Sequence, residues 1–194
     1  MRILLAGGTG VLGVRLVPRL VAAGHEVVGT TRSEAKAEVL AELGATPVTC
    51  DVYDRERLVE IAIATAPELV MHQLTDLPDD PDDLGPDAFA ANARIRIEGT
   101  DNLLAAARAA GASHFVAQSI AWVASNPASV EHLEHAVLGF GGIVLRYGQF
   151  HGPGTWAASA ADIPDDGPKV GVDHAAAETI THLTAPTGIY TITD

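Results

Sequence analysis

Gly7, Gly8, Gly10 and Gly13 crowd the turn that follows the apolar run Ile3-Leu4-Leu5-Ala6, and Val11-Leu12 opens a segment of helical character. A strand, a tight turn and a helix in that order expose backbone N–H groups at a helix N-terminus, where a phosphate can bind. The glycines serve unusual backbone angles, close approach of a pyrophosphate, and close packing of helix on strand. Gly7, Gly10, Val11, Leu12 and Gly13 are therefore the candidate phosphate-binding residues. Two side chains further along could move protons. Ser119 offers a hydroxyl just after the apolar run Ser113–Gln118, and His72, beside the run Glu68–Met71, titrates near neutrality. Ser119 and His72 are the candidate catalytic residues. Trp122 and Trp156 are candidates to line a pocket, and His151, in a glycine-rich loop, to touch a substrate.

Other groupings carry less. His132 and His135 are spaced i, i+3 beside Glu131 and Glu134, which puts two nitrogen ligands on one helical face, but no third ligand stands at a motif distance. No metal site is expected. The Asp-rich stretch Thr75–Asp87 lacks the ordered spacing of a calcium loop and reads as a solvated, exposed loop. Cys50 is the only cysteine, so neither an intrachain disulfide nor a thiolate cluster can form, and the residue reads as a small buried hydrophobe.

The elements that must position these residues alternate. Helices are expected over Val11–Ala23, bent or weakened by Pro18, and over Glu34–Leu43 (capped by Ser33), Arg55–Ala66 (capped by Asp54), Ala88–Ala110, Ser129–Phe140 and His174–Thr184. Between them run apolar segments at His25–Thr31, Ala45–Thr49, Glu68–Gln73, Ser113–Gln118, Gly142–Arg146 and Gly188–Thr193, with Trp156–Lys169 irregular. Strands apolar on consecutive residues and separated by helices predict an α/β fold, a Rossmann-like doubly wound parallel sheet with helices on both faces. One domain, 1–194, is expected.

In such a sheet, ligands bind beyond the carboxyl ends of the strands. An NAD site places an acid at the end of the second strand, to hold the ribose hydroxyls. Here the strand ends Thr30-Thr31-Arg32-Ser33. Arg32 is suited to a 2′-phosphate instead, so NADP is favoured, with NAD as the alternative. Asp51 and Val52, after the third strand, are the candidates for the adenine end.

These residues resemble a known family. Gly7-Gly8-Thr9-Gly10-Val11-Leu12-Gly13, Asp51-Val52, Asn92 with Gly99-Thr100-Asp101-Asn102-Leu103-Leu104, and Leu145-Arg146-Tyr147-Gly148 through Gly152-Pro153-Gly154 look like the NAD(P)-dependent epimerase/dehydratase family of extended and atypical short-chain dehydrogenases/reductases. The resemblance covers the first 155 or so residues. It implies a Rossmann fold, a bound dinucleotide and homodimers through two helices, here Ala88–Ala110, with Ala90, Ala91, Ala105, Ala106 and Ala109 on one face, and Ser129–Phe140.

The resemblance also implies a catalytic Ser or Thr after the fifth strand, matched by Ser119, and a Tyr-x-x-x-Lys pair, which is absent. Tyr53, Tyr147 and Tyr190 are followed four residues on by Arg57, His151 and Asp194, and the only lysines are Lys36 and Lys169. The missing pair falls near Asn126 and Val130. With the chain stopping at Asp194, 147–194 is expected to be a reduced substrate-binding portion. The implied function is a NADP-dependent oxidoreductase acting on a small metabolite, with Ser119 polarising the substrate oxygen. The alternatives are a non-catalytic NADP(H)-binding sensor or binding module, and a non-redox enzyme on the same scaffold. A net charge of −13 argues against nucleic acid and anionic membranes as partners. No apolar run is long enough to span a bilayer and the glycine turn breaks any leader-like pattern, so the cytoplasm is the expected location.

Overall fold

The computed structural model describes residues 1–163 and 167–194. Its chain runs β1 (Arg2–Ala6), α1 (Gly13–Ala22), β2 (Glu26–Thr31), α2 (Glu34–Glu42), β3 (Thr46–Thr49), α3 (Arg55–Thr65) and β4 (Leu69–His72). It continues through α4 (Pro86–Arg94), a π-turn (Ile95–Gly99), α5 (Thr100–Ala110), β5 (His114–Ile120), α6 (Pro127–Phe140), β6 (Ile143–Tyr147), β7 (Gln149–His151), β8 (Lys169–Gly171), α7 (Val172–Thr181) and β9 (Gly188–Ile192).

Seven strands form one sheet in the order β3-β2-β1-β4-β5-β6-β9, every neighbouring pair parallel. This is the expected Rossmann-like fold. The order reverses direction between β1 and β4, and that switch point opens a crevice at the carboxyl ends of the strands.

Helices bury both faces. On one, Leu16, Val17 and Leu20 of α1, Leu40 of α2 and Ala175 and Ala176 of α7 pack on Leu5, Met71, Val116 and Leu145. On the other, Leu58 and Ile61 of α3, Leu103 and Leu104 of α5 and Leu133 and Val137 of α6 pack on Leu4, Val70, Phe115 and Val144. Residues alternate between these faces along each strand, which decides where the side chains of β4 and β5 go.

Local signals account for most boundaries. The Ser33 side chain accepts from the Lys36 N–H, Asp54 from Arg57 and Asn126 from Ser129, so α2, α3 and α6 start at capping residues. Pro18 sits inside α1 with its ring exposed to solvent.

Three expectations are corrected. The helix over Ala88–Ala110 is two α-helices joined by the π-turn, and Ala106 is buried in the core rather than lying on an outer alanine face. The stretch Trp156–Lys169 ends in β8, which pairs with β7 in a small parallel sheet; its residues 164–166 lie outside the described residues. Strands of three residues carry no periodicity to read. Finally, β5 extends two residues further than expected, so Ser119 stands within the strand. Among the described residues no helix is long and apolar enough to cross a membrane.

Candidate active site

The glycine turn is fixed by sterics at two positions. Gly7 has φ +96, and a Cβ there would overlap the Gln73 carbonyl oxygen. A Cβ on Gly13 would overlap the Gly7 carbonyl oxygen, so this glycine lets α1 start directly against the end of β1. The Gly10 N–H donates to the Gly7 oxygen at 3.1 Å and closes the turn. Among the described residues the N–H groups of Val11 and Leu12 have no acceptor. Two spare donors at a helix N-terminus, beside a wall that only glycine allows, fit a pyrophosphate.

The turn opens on a cleft of about 1020 Å³. Gly7, Gly10, Val11, Leu12, Arg32, Val52 and Ser119 all line it; Gly13, Asp51 and His72 do not. Gly13 acts from behind the wall, as a packing contact. Asp51 is exposed and turned into a local loop, its Oδ1 accepting the Tyr53 N–H at 3.0 Å. Cys50 lines the cleft beside Val52, and burial pushes its thiol up to about 11, so it stays protonated.

At the β2 end, Arg32, Ser33 and Lys36 all line the cleft. Arg32 reaches across to Asp76, Nη2 to Oδ1 at 3.3 Å. The Trp156 Nε1–H donates to the Asp79 carbonyl at 3.0 Å. These two bonds make the first part of the segment after β4 a wall of the cleft, while Asp79–Asp83 are exposed as expected. Trp122 and Trp156 both line the cleft. Arg15, unremarked in the sequence, donates to the Val11 carbonyl at 2.8 Å and to Pro153, tying α1 to the loop after β7.

Ser119, second from the end of β5, projects to the α6 side of the sheet and is buried. Its hydroxyl donates to Glu134 Oε1 at 2.6 Å. Arg146 of β6 grips the same carboxylate with both Nε, at 2.8 Å, and Nη2. Burial raises the carboxyl pKa of Glu134, but the hydrogen bonds from Arg146 and Ser119 outweigh it and hold it below the usual range. The carboxylate is ionised at neutral pH and accepts the hydrogen bond of the Ser119 hydroxyl, so Ser119 presents an acceptor oxygen to the cleft. The signal for Glu134 was Arg146, a charge inside an otherwise apolar buried strand, which must have a partner.

His72, His151 and His132 are engaged elsewhere. His72 is wholly buried on the α5 face of β4, with Nδ1 accepting the Leu74 N–H at 3.3 Å. Burial lowers its pKa to about 4, with the Ile95 carbonyl opposing and the Arg96 charge adding to the shift. It therefore stands neutral behind the cleft wall, and the expectation that it faces a reacting group is not met. His151 pairs with Asp194, Nε2 to Oδ2 at 2.6 Å, and does not line the cleft. His132 bonds Asp101 at 2.9 Å across α5 and α6, and no three metal-ligating side chains converge among the described residues. The Tyr147 hydroxyl is buried against Thr179 at 2.6 Å, and burial raises its pKa.

Comparison with known proteins agrees with this fold. The model of the NAD dependent epimerase/dehydratase family matches residues 3–135. A 3-diazoavenalumate denitrifying reductase from Streptomyces sp. is 41% identical over 184 residues, covering 80% of this chain and 58% of its own length. The chain thus spans less than two thirds of that relative. Among solved structures, the Thermotoga maritima UDP-glucose 4-epimerase with UDP-glucose superposes with a TM-score of 0.82 at 18% identity, over 100% of this chain and 77% of that one. The Thermus thermophilus UDP-glucose 4-epimerase in complex with NAD gives 0.78 at 22%, over 100% and 78%. At these identities the structures share the fold.

Proposed function

The chain belongs to the NAD-dependent epimerase/dehydratase family, and from that premise we propose that it is a NADP-dependent reductase of a small-molecule substrate. The observation that carries the reading is the glycine turn, with unused Val11 and Leu12 N–H groups, opening on a cleft that also holds Ser119. The likeness to a diazo-compound reductase supports reduction over epimerisation.

In this reading the N–H groups of Val11 and Leu12 hold the pyrophosphate, and the absence of a Cβ at Gly10 lets it approach. Arg32, with Ser33 and Lys36 beside it, takes the 2′-phosphate; no acid at the end of β2 competes for ribose hydroxyls. When bound, the reduced nicotinamide supplies hydride. Ser119 then meets the substrate with its lone pairs, because its proton is held by Glu134. It accepts a hydrogen bond from a substrate donor rather than polarising an oxygen. The segment tied down through Asp76 and Asp79 keeps water from the cleft.

Residues 147–194 belong, on the same proposal, to the substrate-binding side of the cleft. Phe89 and Ile97, both exposed near the α4–π-turn junction, support homodimer contact through this helix and α6.

One specific observation favours a second reading, a nucleotide-binding sensor without turnover. Neither Ser119, Tyr147 nor His72 has a proton free to give to the cleft. One titration tests both readings. NADPH and NADH binding are measured by fluorescence, followed by oxidation of NADPH against carbonyl and diazo compounds. NADPH-selective binding with oxidation supports the reductase; binding with no oxidation supports the sensor; no nucleotide binding rejects both.

A further inference from the structure

We infer that Arg96 is an anion-binding residue for the substrate, and that the cleft takes a small carboxylate on an apolar, aromatic body. The inference rests on the reductase reading, and it is carried by an unpaired guanidinium. Among the described residues, three arginines make no hydrogen bond or ion pair, and two of them, Arg55 and Arg108, are exposed. Arg96 is the third, yet it is partly buried and lines the cleft. The chain has 25 acidic residues against 12 lysines and arginines, so a partner within the protein would be easy to supply. None of its nitrogens is sealed from solvent, so the guanidinium stands open to the cleft without an acceptor from the protein, free to exchange water for an anionic ligand.

The backbone explains its aim. Arg94 and Glu98 pair on the outer surface at 2.7 Å. Arg96, two residues from each, therefore points the opposite way, inward from the π-turn Ile95–Gly99. Such turns recur at functional sites because the extra residue redirects side chains.

Its position separates it from the proposed dinucleotide contacts. Its charge acts on His72 at the end of β4, and it enters from the α5 and α6 face of the sheet. The glycine turn and α1 belong to the opposite face, and Arg32 stands beyond β2. Arg96 is thus on the Ser119 side of the switch point, the side left for a substrate.

The charge count selects the ligand class. Among the described residues no carboxylate forms an ion pair with Arg96, and burial lowers its pKa. One guanidinium without a second cation matches one negative charge, and its planar fork matches a carboxylate. Trp122, Tyr147, Phe150 and Trp156 line the same cleft and suit a flat apolar body.

Trp122 and Trp156 are the only tryptophans, so intrinsic fluorescence reports on the cleft directly. The probes are 3-phenylpropionate and its neutral amide, titrated with and without NADPH. Wild type is expected to bind the carboxylate about tenfold or more tightly than the amide. Arg96→Gln should abolish that preference and Arg96→Lys keep part of it, both with wild-type melting temperatures and NADPH affinity within about twofold. The inference is overturned if wild type does not prefer the carboxylate, or if Arg96→Gln leaves the preference intact. It is also overturned if Arg96→Gln weakens NADPH as much as the probe, for then the anion is a cofactor phosphate. Failure of the reductase reading shows separately, as absent NADPH binding or oxidation, while the fluorescence titration still reads the carboxylate.

Discussion

Glu134 holds the proton of Ser119: the two oxygens are 2.6 Å apart, and Arg146 keeps the carboxylate ionised from its other side. Ser119 comes from β5 and Glu134 from α6, the helix on which the family resemblance places the missing tyrosine and lysine. An acidic residue thus stands near where a proton donor and a cation would be, and the polarity of the serine is reversed.

Glu134→Gln should leave Arg146 with a neutral partner. Glu134 is nearly buried while Arg146 is 40% exposed at its side chain, so water recovers part of the loss. A destabilisation of about 2 kcal/mol is expected, below the range for a fully buried pair. The sign with pH follows from the lowered carboxyl pKa of Glu134. Its contribution is complete above the ordinary carboxylate range and is lost as pH falls through the folded-state value. Urea denaturation at neutral and acid pH measures both, and the variant should lose the acid-side component.

Gly13→Ala tests the packing role of a glycine that does not line the cleft. The new Cβ would overlap the Gly7 carbonyl oxygen, which is backbone and cannot rotate away. Separating α1 from the turn should cost about 1–3 kcal/mol. It should also weaken NADPH binding strongly, because the Val11 and Leu12 N–H groups move with the helix. Gly24→Ala is the control. Gly24 has φ +82 but nothing near its missing Cβ, so that variant should lose some stability and keep its nucleotide affinity.

The sequence made the fold legible because its signals are local and repeated: apolar strands, capping residues at Ser33, Asp54 and Asn126, and glycines closing the helices. The glycine turn was equally plain, since its chemistry belongs to consecutive backbone groups. The rest of the site depends on which face of a strand a side chain takes. His72 follows an apolar strand as a cleft residue would, but shares its face with Val70 and so lies under α5. Asp51 and Val52 are neighbours, and the chain turns one outward and the other inward. Glu134 and Arg96 were hidden for another reason. A helix glutamate and a helix arginine look solvated in sequence; what sets them apart is Arg146, on the strand that α6 covers, for the one, and the lack of a partner among the described residues for the other.

His72 gives a second pH signature, distinct from that of Glu134. Its pKa is lowered to about 4 by burial, from an ordinary value of 6.5. Above 6.5 the ring is neutral folded and unfolded, and its contribution is complete. As pH falls from there toward 4, the unfolded chain binds a proton that the folded chain refuses, and stability declines by about 3 kcal/mol. His72→Gln removes the titrating group. Its stability, measured by thermal or urea melts across that window, should be lower at neutral pH but flatter than wild type.

The Arg32–Asp76 pair separates the two nucleotides without touching the glycine turn. In the free protein Asp76 occupies Arg32 at 3.3 Å, and a 2′-phosphate must displace or share that contact. The arginine side chain is 56% exposed, so the ion pair itself is worth little to stability. Its weight falls on binding. Asp76→Asn frees the guanidinium and removes a negative charge facing the phosphate, and should tighten NADPH severalfold while leaving NADH unchanged. Arg32→Ala should weaken NADPH about tenfold or more, again with NADH unchanged. Isothermal titration of both nucleotides against the two variants gives a double comparison. If Arg32→Ala costs NADPH and NADH equally, Arg32 is not reading the 2′-phosphate. If Asp76→Asn weakens NADPH, the carboxylate is positioning the arginine for the ligand rather than competing with it.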